Sequence, residues 1–374
     1  MPSGVAGGDG VYGRSMNVSL TWLKRLRCRR LALIHIGVVV LVAGALVSFL
    51  AGEYGHICLR QDGGNAAMWK VGGCHNRPLP FYVGYADSRS IVVADCCSST
   101  VYTLAPNRVV RIGSYRLMKG AEDNDGRGMT LLVAHDPVGM ALVYLSYILL
   151  VSGMLPMVLP IIRMRNPCPS PVLLLLFAGS VGFICWRWCM LGCFPAICGG
   201  DTLVLTAVAL LFAGIVDRRM SKASLAGGLA ALAAAVAVGF RDVLPPVLVT
   251  PLLFVHVVLI TVAYACFAIL AVGGIVCFFR PASCYYPVRM LRVGVFCLAA
   301  GIMVGSVWAA MAWGRYWSWD PKECMALLTM VVYLLPLHIR IKRIGQRWLC
   351  VYWVVAFAVV LVTWFGLNSG LHSY

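Results

Sequence analysis

The chain has 374 residues, of which 61% are hydrophobic and only 12% are charged. A soluble domain of this length cannot bury that much apolar surface, so the composition excludes a soluble globular protein and makes a lipid bilayer the solvent for most of the chain. A formal net charge of +17 would suggest nucleic-acid binding in a soluble protein. Here the basic residues flank apolar runs, which is typical of the cytoplasmic ends of membrane spans.

Nine apolar runs are long enough, or nearly long enough, to cross a bilayer. The fourth, fifth and eighth runs are shorter than the ~20 residues of a typical span, so they need flanking residues to cross the bilayer. The pattern predicts an all-α polytopic membrane protein with about nine transmembrane helices. The runs cover roughly residues 31–51, 138–162, 171–190, 202–217, 224–240, 246–278, 293–313, 323–338 and 348–366.

Lysine and arginine residues indicate the orientation of these spans. With the N-terminus in the cytoplasm, 18 basic residues fall in inner segments, and the short outer segments hold only Arg187, Arg241, Arg315 and Lys322. We therefore expect an N-in, C-out topology. The first run is long and lacks a small-residue cleavage site, so we expect it to be an anchor and not a removed signal peptide.

Residues 52–137 form a long segment outside the predicted spans. They carry nine further basic residues, but long loops cross the membrane regardless of their charge. Alternating apolar patterns such as FYVGYA, SIVVAD and GMTLLVAH, separated by Gly, Asn and Asp, are typical of short β-strands. We expect a small β-rich domain here, on the extracytoplasmic side.

Three tryptophans lie within seven residues in the stretch WGRYWSWDPKE, at 313–323. Trp is enriched at membrane interfaces because it is amphipathic, but this accounts poorly for three indoles in one short polar loop. Stacked indoles suit a ligand with a broad flat apolar face. Arg315 and Lys322 could pair with carboxylates of that ligand or form a solvated rim, and Asp320 before Pro321 could equally cap the next helix.

The wider string, from Trp308 through WGRYWSWDPKE to VVYLLPLH, resembles the tryptophan-rich "WWD" signature of haem-handling membrane proteins. Within that superfamily it is most similar to the CcsA (ResC) branch of System II cytochrome c biogenesis. In that family the positions that match His256, His338 and His372 are axial haem ligands. The loop residues that the resemblance assigns to haem binding are Trp308, Trp313, Trp317, Trp319, Asp320, Arg315 and Lys322.

A second resemblance covers the N-terminal part. HIGVVVLVAGALVSFLAGEYGHICL, and the stretch from GSYRLMKG to YILLVSGML with its Asp136-Pro137 pair, resemble parts of ResB (CcsB), the usual partner of CcsA. This resemblance gives His35 the role of a further haem ligand. The chain is then interpreted as a natural fusion of a shortened ResB-like part over residues 1–165 and a CcsA-like haem-handling domain over 166–374.

The predicted depths of the histidines agree with these assignments. His35 and His338 lie near the cytoplasmic ends of their spans and differ in depth by only ~5 Å, at about 1.5 Å per residue. His256 lies at the outer end of the sixth run, and His372 follows the last run on the side of the tryptophan loop. A lone His in a span can simply hydrogen-bond a neighbouring helix, but buried ionisable groups are costly, and two depth-matched pairs favour two haem sites.

The resemblances imply a cytochrome c haem lyase (holocytochrome c synthase) of the bacterial inner membrane. Haem b would enter near His35 and His338 and reach an extracytoplasmic active site, where His256 and His372 would act. The implied partners are apocytochrome c, a thiol-disulfide oxidoreductase that keeps its C-x-x-C-H motif reduced, a further ResB-like subunit and membrane lipid, and no nucleic acid. The chain itself contains no C-x-x-C-H, so it is not a c-type cytochrome.

Two other functions stay open. A haem exporter like the CcmC branch would deliver haem without forming thioether bonds, although the ResB-like part argues against it. A b-type electron-transfer subunit usually takes paired histidines from two helices, whereas these four come from four segments.

Eight cysteines lie in predicted outer segments and could form disulfides: Cys58, Cys74, Cys96, Cys97, Cys185, Cys189, Cys193 and Cys198. The last four of this list could instead form a metal cluster.

Overall fold

The computed structural model describes residues 9–365 except 74, 96, 159–168, 197, 243–248, 282–287 and 340–344, and side chains from residue 28 onward except those of 157 and 288. The described residues form nine α-helices and eight β-strands. The chain divides into two compact units: Met1–Gly52 with Pro137–Leu159, and Glu53–Asp136 with Pro160–Tyr374. The boundary predicted between residues 165 and 166 separates a ResB-like part from a CcsA-like part by resemblance, and it stays a prediction.

The first unit consists of two helices, α1 (Asp9–Ala51) and α2 (Pro137–Val158), that pack closely against each other. A Cβ added at Gly37 would lie 2.9 Å from the Cγ atom of Leu150, and one added at Gly153 would lie 2.7 Å from a side-chain carbon of α1. Small residues allow apolar helices to approach closely in lipid, where the hydrophobic effect does not drive them together.

The second unit begins with the predicted β-rich segment, which forms one antiparallel sheet in the order β5-β4-β3-β2-β1-β8-β7-β6. Alternate side chains point to one face and form a core around Trp69, Val83, Leu117 and Leu131. The strands are β1 (Glu53–Arg60), β2 (Ala66–Val71), β3 (His75–Asp87), β4 (Ser90–Ala94), β5 (Ser99–Thr103), β6 (Val110–Ile112), β7 (Tyr115–Glu122) and β8 (Gly128–His135).

Seven helices follow the sheet in the second unit. The pairs α6 with α7, α4 with α5 and α6 with α9 make the most extensive contacts, so α6 lies at the centre of the helical part. The helices are α3 (Pro171–Leu191), α4 (Gly199–Val216), α5 (Ser221–Val238), α6 (Pro251–Phe279), α7 (Val288–Ala312), α8 (Pro321–His338) and α9 (Gln346–Phe365).

Eight helices of the described part of the chain are long and apolar enough to cross a membrane. Large apolar side chains such as Leu175, Val236 and Phe279 are exposed on their surfaces, as lipid-facing residues are. The helical content and these spans confirm a polytopic membrane protein. Helix α8, which corresponds to the eighth predicted run, is not among the eight, so the count of nine spans and the N-in, C-out orientation stay predictions.

Two ion pairs, one buried and one partly buried, connect helices of the second unit. The Nε atom of Arg187 on α3 lies 2.8 Å from a carboxylate oxygen of Asp201 on α4. Asp217, at the end of α4, pairs with Arg289 in the first turn of α7. Each pair compensates charges that would otherwise be costly in an apolar surrounding, so the pairs fix the relative positions of these helices.

Candidate binding site at the tryptophan loop

A cavity of ≈ 310 Å³ lies between α6, α7 and α9, beneath the loop that joins α7 to α8. Most of its walls are apolar or aromatic, with a few polar groups among them, which is the usual make-up of a small-molecule site. The aromatic walls are Phe254, Tyr264, Trp308, Tyr316, Trp317 and Trp364, and the ionisable groups are His256, Lys322 and Glu323.

Helix α6 brings His256 to this cavity. The helix begins after Thr250, whose hydroxyl accepts a hydrogen bond from the Leu253 amide at 3.1 Å, and His256 follows in the second turn. Its Nδ1 lies 2.7 Å from the carbonyl oxygen of Gly301 on α7. A carbonyl oxygen only accepts, so Nδ1 carries the proton and Nε2 carries the basic lone pair. Metal-binding histidines are oriented in this way.

A second glycine of α7 makes the position of His256 possible. A Cβ added at Gly305 would lie 2.5 Å from Nδ1 of His256, which is closer than real Cβ atoms come. Gly301, one turn earlier on α7, makes room for Ile260 of α6 instead, since a Cβ added there would lie 2.7 Å from Cδ1 of that side chain. The G-x-x-x-G pattern of GIMVG was a readable sequence signal for such close packing.

The tryptophan loop has an unusual backbone that hydrogen bonds hold in place. Gly314 has φ of 83° and Trp319 has φ of 58°, and a positive φ is rare for a bulky residue. The Glu323 carboxylate accepts hydrogen bonds from the amides of Ser318 at 2.8 Å and Asp320 at 3.2 Å. Asp320 and Glu323 form a capping box at the start of α8, so the structural role expected for Asp320 is present.

The four indoles of the loop region form two edge-to-face pairs. The ring centroids of Trp308 and Trp313 are 4.8 Å apart, and those of Trp317 and Trp319 are 6.0 Å apart. Trp308 is 2% exposed, whereas Trp319 is 71% exposed. The loop therefore has one indole pair anchored in the helical part and one that ends at the surface.

Trp308 has a buried polar group without a hydrogen-bond partner among the described residues. Its Nε1 is buried and, within the residues that the structure describes, finds no hydrogen-bond acceptor. Trp308 also lines the cavity. A buried donor without an acceptor costs about 1–3 kcal/mol, so a ligand with an acceptor group would relieve that cost.

Lys322 also lines the cavity. Burial lowers the pKa of its ammonium group, while the charge of Asp320 raises it.

The β-sheet contacts the loop through two reciprocal pairs of side chains. The guanidinium carbon of Arg315 in the loop lies 5.3 Å from the ring centroid of Tyr54 on β1. That of Arg116 on β7 lies 5.3 Å from the ring centroid of Tyr316 in the loop. Neither Tyr316 nor Arg116 was identified from the sequence, because a contact between such distant segments leaves no local pattern.

His35 and His338 are not among the described residues that line this cavity. His338 is exposed near the end of α8, with Nδ1 2.9 Å from the carbonyl oxygen of Leu334. His35 is exposed on α1 of the first unit, with Nδ1 2.7 Å from the carbonyl oxygen of Leu31. Both histidines therefore have the same tautomer as His256. That His35 and His338 together bind one haem iron stays a prediction. His372 lies outside the described residues.

Of the predicted haem-binding residues, the structure brings four to the cavity wall: His256, Trp308, Trp317 and Lys322. Trp313 packs on Trp308, and Trp319 and Arg315 are exposed in the loop. No group of three or more His, Cys, Asp or Glu side chains that could hold a metal ion occurs in the described parts of the chain. Thiols at the predicted cysteine positions are free at Cys58, Cys185, Cys189, Cys193 and Cys198.

Comparison with known proteins gives the family. The family model described as cytochrome C assembly protein matches residues 174–372, which is more than half of the chain. The cytochrome c biogenesis protein CcsA of Synechococcus elongatus is 48% identical over 90 residues, 23% of this chain and 28% of that protein. CcsA of Trichodesmium erythraeum is 47% identical over 90 residues, 23% and 26% of the two chains. CcsA of Lactuca sativa is 40% identical over 94 residues, 24% and 29%.

The matches to these curated relatives each span less than a third of the relative's own length. The family model extends further and includes all of the helices that enclose the cavity, together with the tryptophan loop. On the strength of that match, the chain belongs to the cytochrome c assembly protein family.

Proposed function

We propose that this protein is a cytochrome c haem lyase that holds haem at the tryptophan loop and promotes its attachment to apocytochrome c. The observation that carries the proposal is the position of His256, which lines an aromatic cavity with its Nδ1 proton fixed on Gly301. Neutral imidazole is the form that binds iron, and the tautomer with a basic Nε2 is suited to it.

The residues of the cavity fit haem as a substrate. Trp308 and Trp317 provide apolar faces for a porphyrin, and the buried Nε1 of Trp308 is a donor for one of its acceptor groups. Lys322 on the wall can pair with a propionate. We propose His256 and His372 as the two axial ligands at this outer site, with Trp313, Trp319, Asp320 and Arg315 forming the rest of the platform.

Haem supplies the iron and the two vinyl groups, and each apocytochrome thiol adds its S–H across one vinyl C=C bond, so no oxidant is consumed. The protein's own residues orient the substrate and exclude water around it. Holding two reactants in the correct geometry lowers the barrier by removing most of the entropic cost of their encounter. The histidine of the C-x-x-C-H motif then replaces one of the protein's axial ligands.

The wider scheme belongs to the same proposal. His35 and His338 would receive haem b on the cytoplasmic side of a bacterial inner membrane, in an N-in, C-out topology of about nine spans. Residues 1–165 would be a shortened ResB-like part fused to a CcsA-like domain. Apocytochrome c, a thiol-disulfide oxidoreductase, a further ResB-like subunit and membrane lipid would be its partners.

The proposal is tested by expressing the full chain with a C-x-x-C-H reporter in cells that lack their own cytochrome c biogenesis system. Haem staining after denaturing electrophoresis detects only covalently attached haem. We expect attachment with the wild type and with His75→Ala, an exposed histidine of β3, and none with His256→Ala. Haem bound by the wild type without attachment would instead indicate a CcmC-like exporter, and quinol oxidation would indicate a b-type electron-transfer subunit.

A further inference from the structure

The β-sheet carries a buried arginine against the tryptophan loop. Arg116 on β7 is 4% exposed, and its guanidinium carbon lies 5.3 Å from the ring centroid of Tyr316. Its Nη2 is buried without a hydrogen-bond acceptor from the described residues. Among those residues, no carboxylate forms an ion pair with it within 4.0 Å. A buried guanidinium that forms no ion pair is costly, so an anionic group of a ligand placed against Arg116 would lower that cost.

The surroundings of Arg116 add positive charge. Arg111 on β6 lies directly opposite it in the antiparallel ladder, and like charges in that position are unfavourable. Arg315, next to Tyr316 in the loop, is a third cation. The carboxylate of Glu323 is already occupied by backbone amides of the loop. Three arginines therefore lie at or beside the contact between sheet and loop.

The sheet is closely packed on the loop at this point. A Cβ added at Gly314 would lie 3.2 Å from Cε of Met118, which follows Arg116 by two residues on β7. Tyr316, whose ring Arg116 covers, lines the cavity that contains His256. A ligand that fills this cavity therefore contacts the ring next to which the buried guanidinium lies.

We propose that Arg116 binds a carboxylate of the haem held at the tryptophan loop, so that the β-sheet supplies part of the haem site. The inference rests on the proposed function and names a residue of the 53–136 segment as part of that site. A guanidinium is suited to this role because its planar N–H groups match the two oxygens of a carboxylate. The sheet then holds the loop and also recognises the charged edge of its ligand.

The test compares two porphyrins that differ only in the charge of their two propionate groups. Ferric haem has two propionates, and its dimethyl ester has the same ring and iron without the charges. Both are titrated into the purified full chain carrying His338→Ala, so that binding reports on the tryptophan-loop site. We expect haem to bind at least about tenfold more tightly than the ester, as for a charge-assisted hydrogen bond. In the same background, Arg116→Gln should reduce this preference to the part that Lys322 contributes through the other propionate, while Arg116→Lys should retain more of it.

The control is Arg108→Gln, which removes the same charge from an exposed position of the sheet segment and should leave the preference unchanged. If the parent protein binds haem and its ester equally, the inference is overturned, and no Arg116 variant is needed to show it. An Arg116→Gln variant that keeps the full preference would also overturn the inference, as would one that loses affinity for both porphyrins equally, since Arg116 would then only position Tyr316. If the protein binds haem equally well with and without His256, the proposed function is contradicted instead.

Discussion

Gly305 of α7 lies directly against the imidazole of His256 on α6, with no space between them for a methyl group. A Cβ at position 305 would stand 2.5 Å from Nδ1 and 2.7 Å from Cε1 of the ring. The helix backbone is fixed by its own hydrogen bonds, so the imidazole would have to move. The orientation of the proposed iron ligand therefore depends on a residue that contributes no functional group.

Gly305→Ala should accordingly reduce haem attachment. A displacement of the ring by about 1 Å is expected to lower the rate on the order of 100-fold, whereas the overpacking should destabilise the protein by only about 1–3 kcal/mol. The measurement is holocytochrome yield per amount of folded protein. Gly179→Ala on α3 is the matched control, because an added Cβ there meets no atom within 4 Å. Equal yields from the two variants would contradict the proposed role of His256.

The wild-type protein should carry haem b with the spectrum of six-coordinate, bis-histidine iron, and His256→Ala or His372→Ala should abolish attachment. Exogenous imidazole should partly restore both variants, because it fills the vacated iron position. The measurements are the absorption spectrum and haem staining of the reporter with and without imidazole. Full activity in both variants would remove these histidines from the mechanism.

Trp308→Phe separates the hydrogen-bond donor of the indole from its aromatic face. The loss of a buried, unsatisfied donor offsets the lost packing volume, so the free energy of unfolding should change by no more than about 1 kcal/mol. Haem affinity should fall about tenfold if the ligand accepts a hydrogen bond from Nε1. Trp348→Phe, at an exposed position of α9, is the control. Unchanged affinity would show that Trp308 contributes only its ring.

The order of the two proposed haem sites predicts different consequences for their variants. If haem enters at the inner site, His338→Ala should leave the protein with little haem and no activity. Trp317→Ala or Trp319→Ala should retain haem at the inner pair but lose attachment, because stacking at the outer platform is lost. Pyridine haemochrome assays of each purified variant give the haem content. Normal haem and activity in His338→Ala would reduce His338 to a helix-packing residue.

The orientation predicted from basic residues has its own test. Tyr374 and residues 52–137 should face the extracytoplasmic side, and the 339–347 loop should face the cytoplasm. Single-cysteine labelling with a membrane-impermeant reagent, or reporter fusions at these positions, distinguishes the two sides. A C-terminus found in the cytoplasm would overturn this topology and the assignment of His256 to the outer face.

Much of the fold follows from local sequence patterns. Long apolar runs predicted the membrane helices, because backbone polar groups in lipid must be satisfied within the helix itself. Period-two alternation predicted the strands of the 53–135 segment, although not their order. The apolar run of α8 is weaker, because its first turn contains two charged residues, Lys322 and Glu323. Both line the cavity, and Glu323 also accepts a hydrogen bond from the loop backbone.

The sequence by itself determined the membrane class, the β-rich segment, the tryptophan loop and the family, since each depends on composition or on residues close together in the chain. Only the tertiary structure decided which side chains meet: His256 with a carbonyl 45 residues away on α7, and Arg116 of the sheet with Tyr316 of the loop. The physical reason is that such contacts depend on how helices and strands pack. A glycine that makes room, or an arginine buried without an ion-pair partner among the described residues, becomes recognisable only once its neighbours are in place.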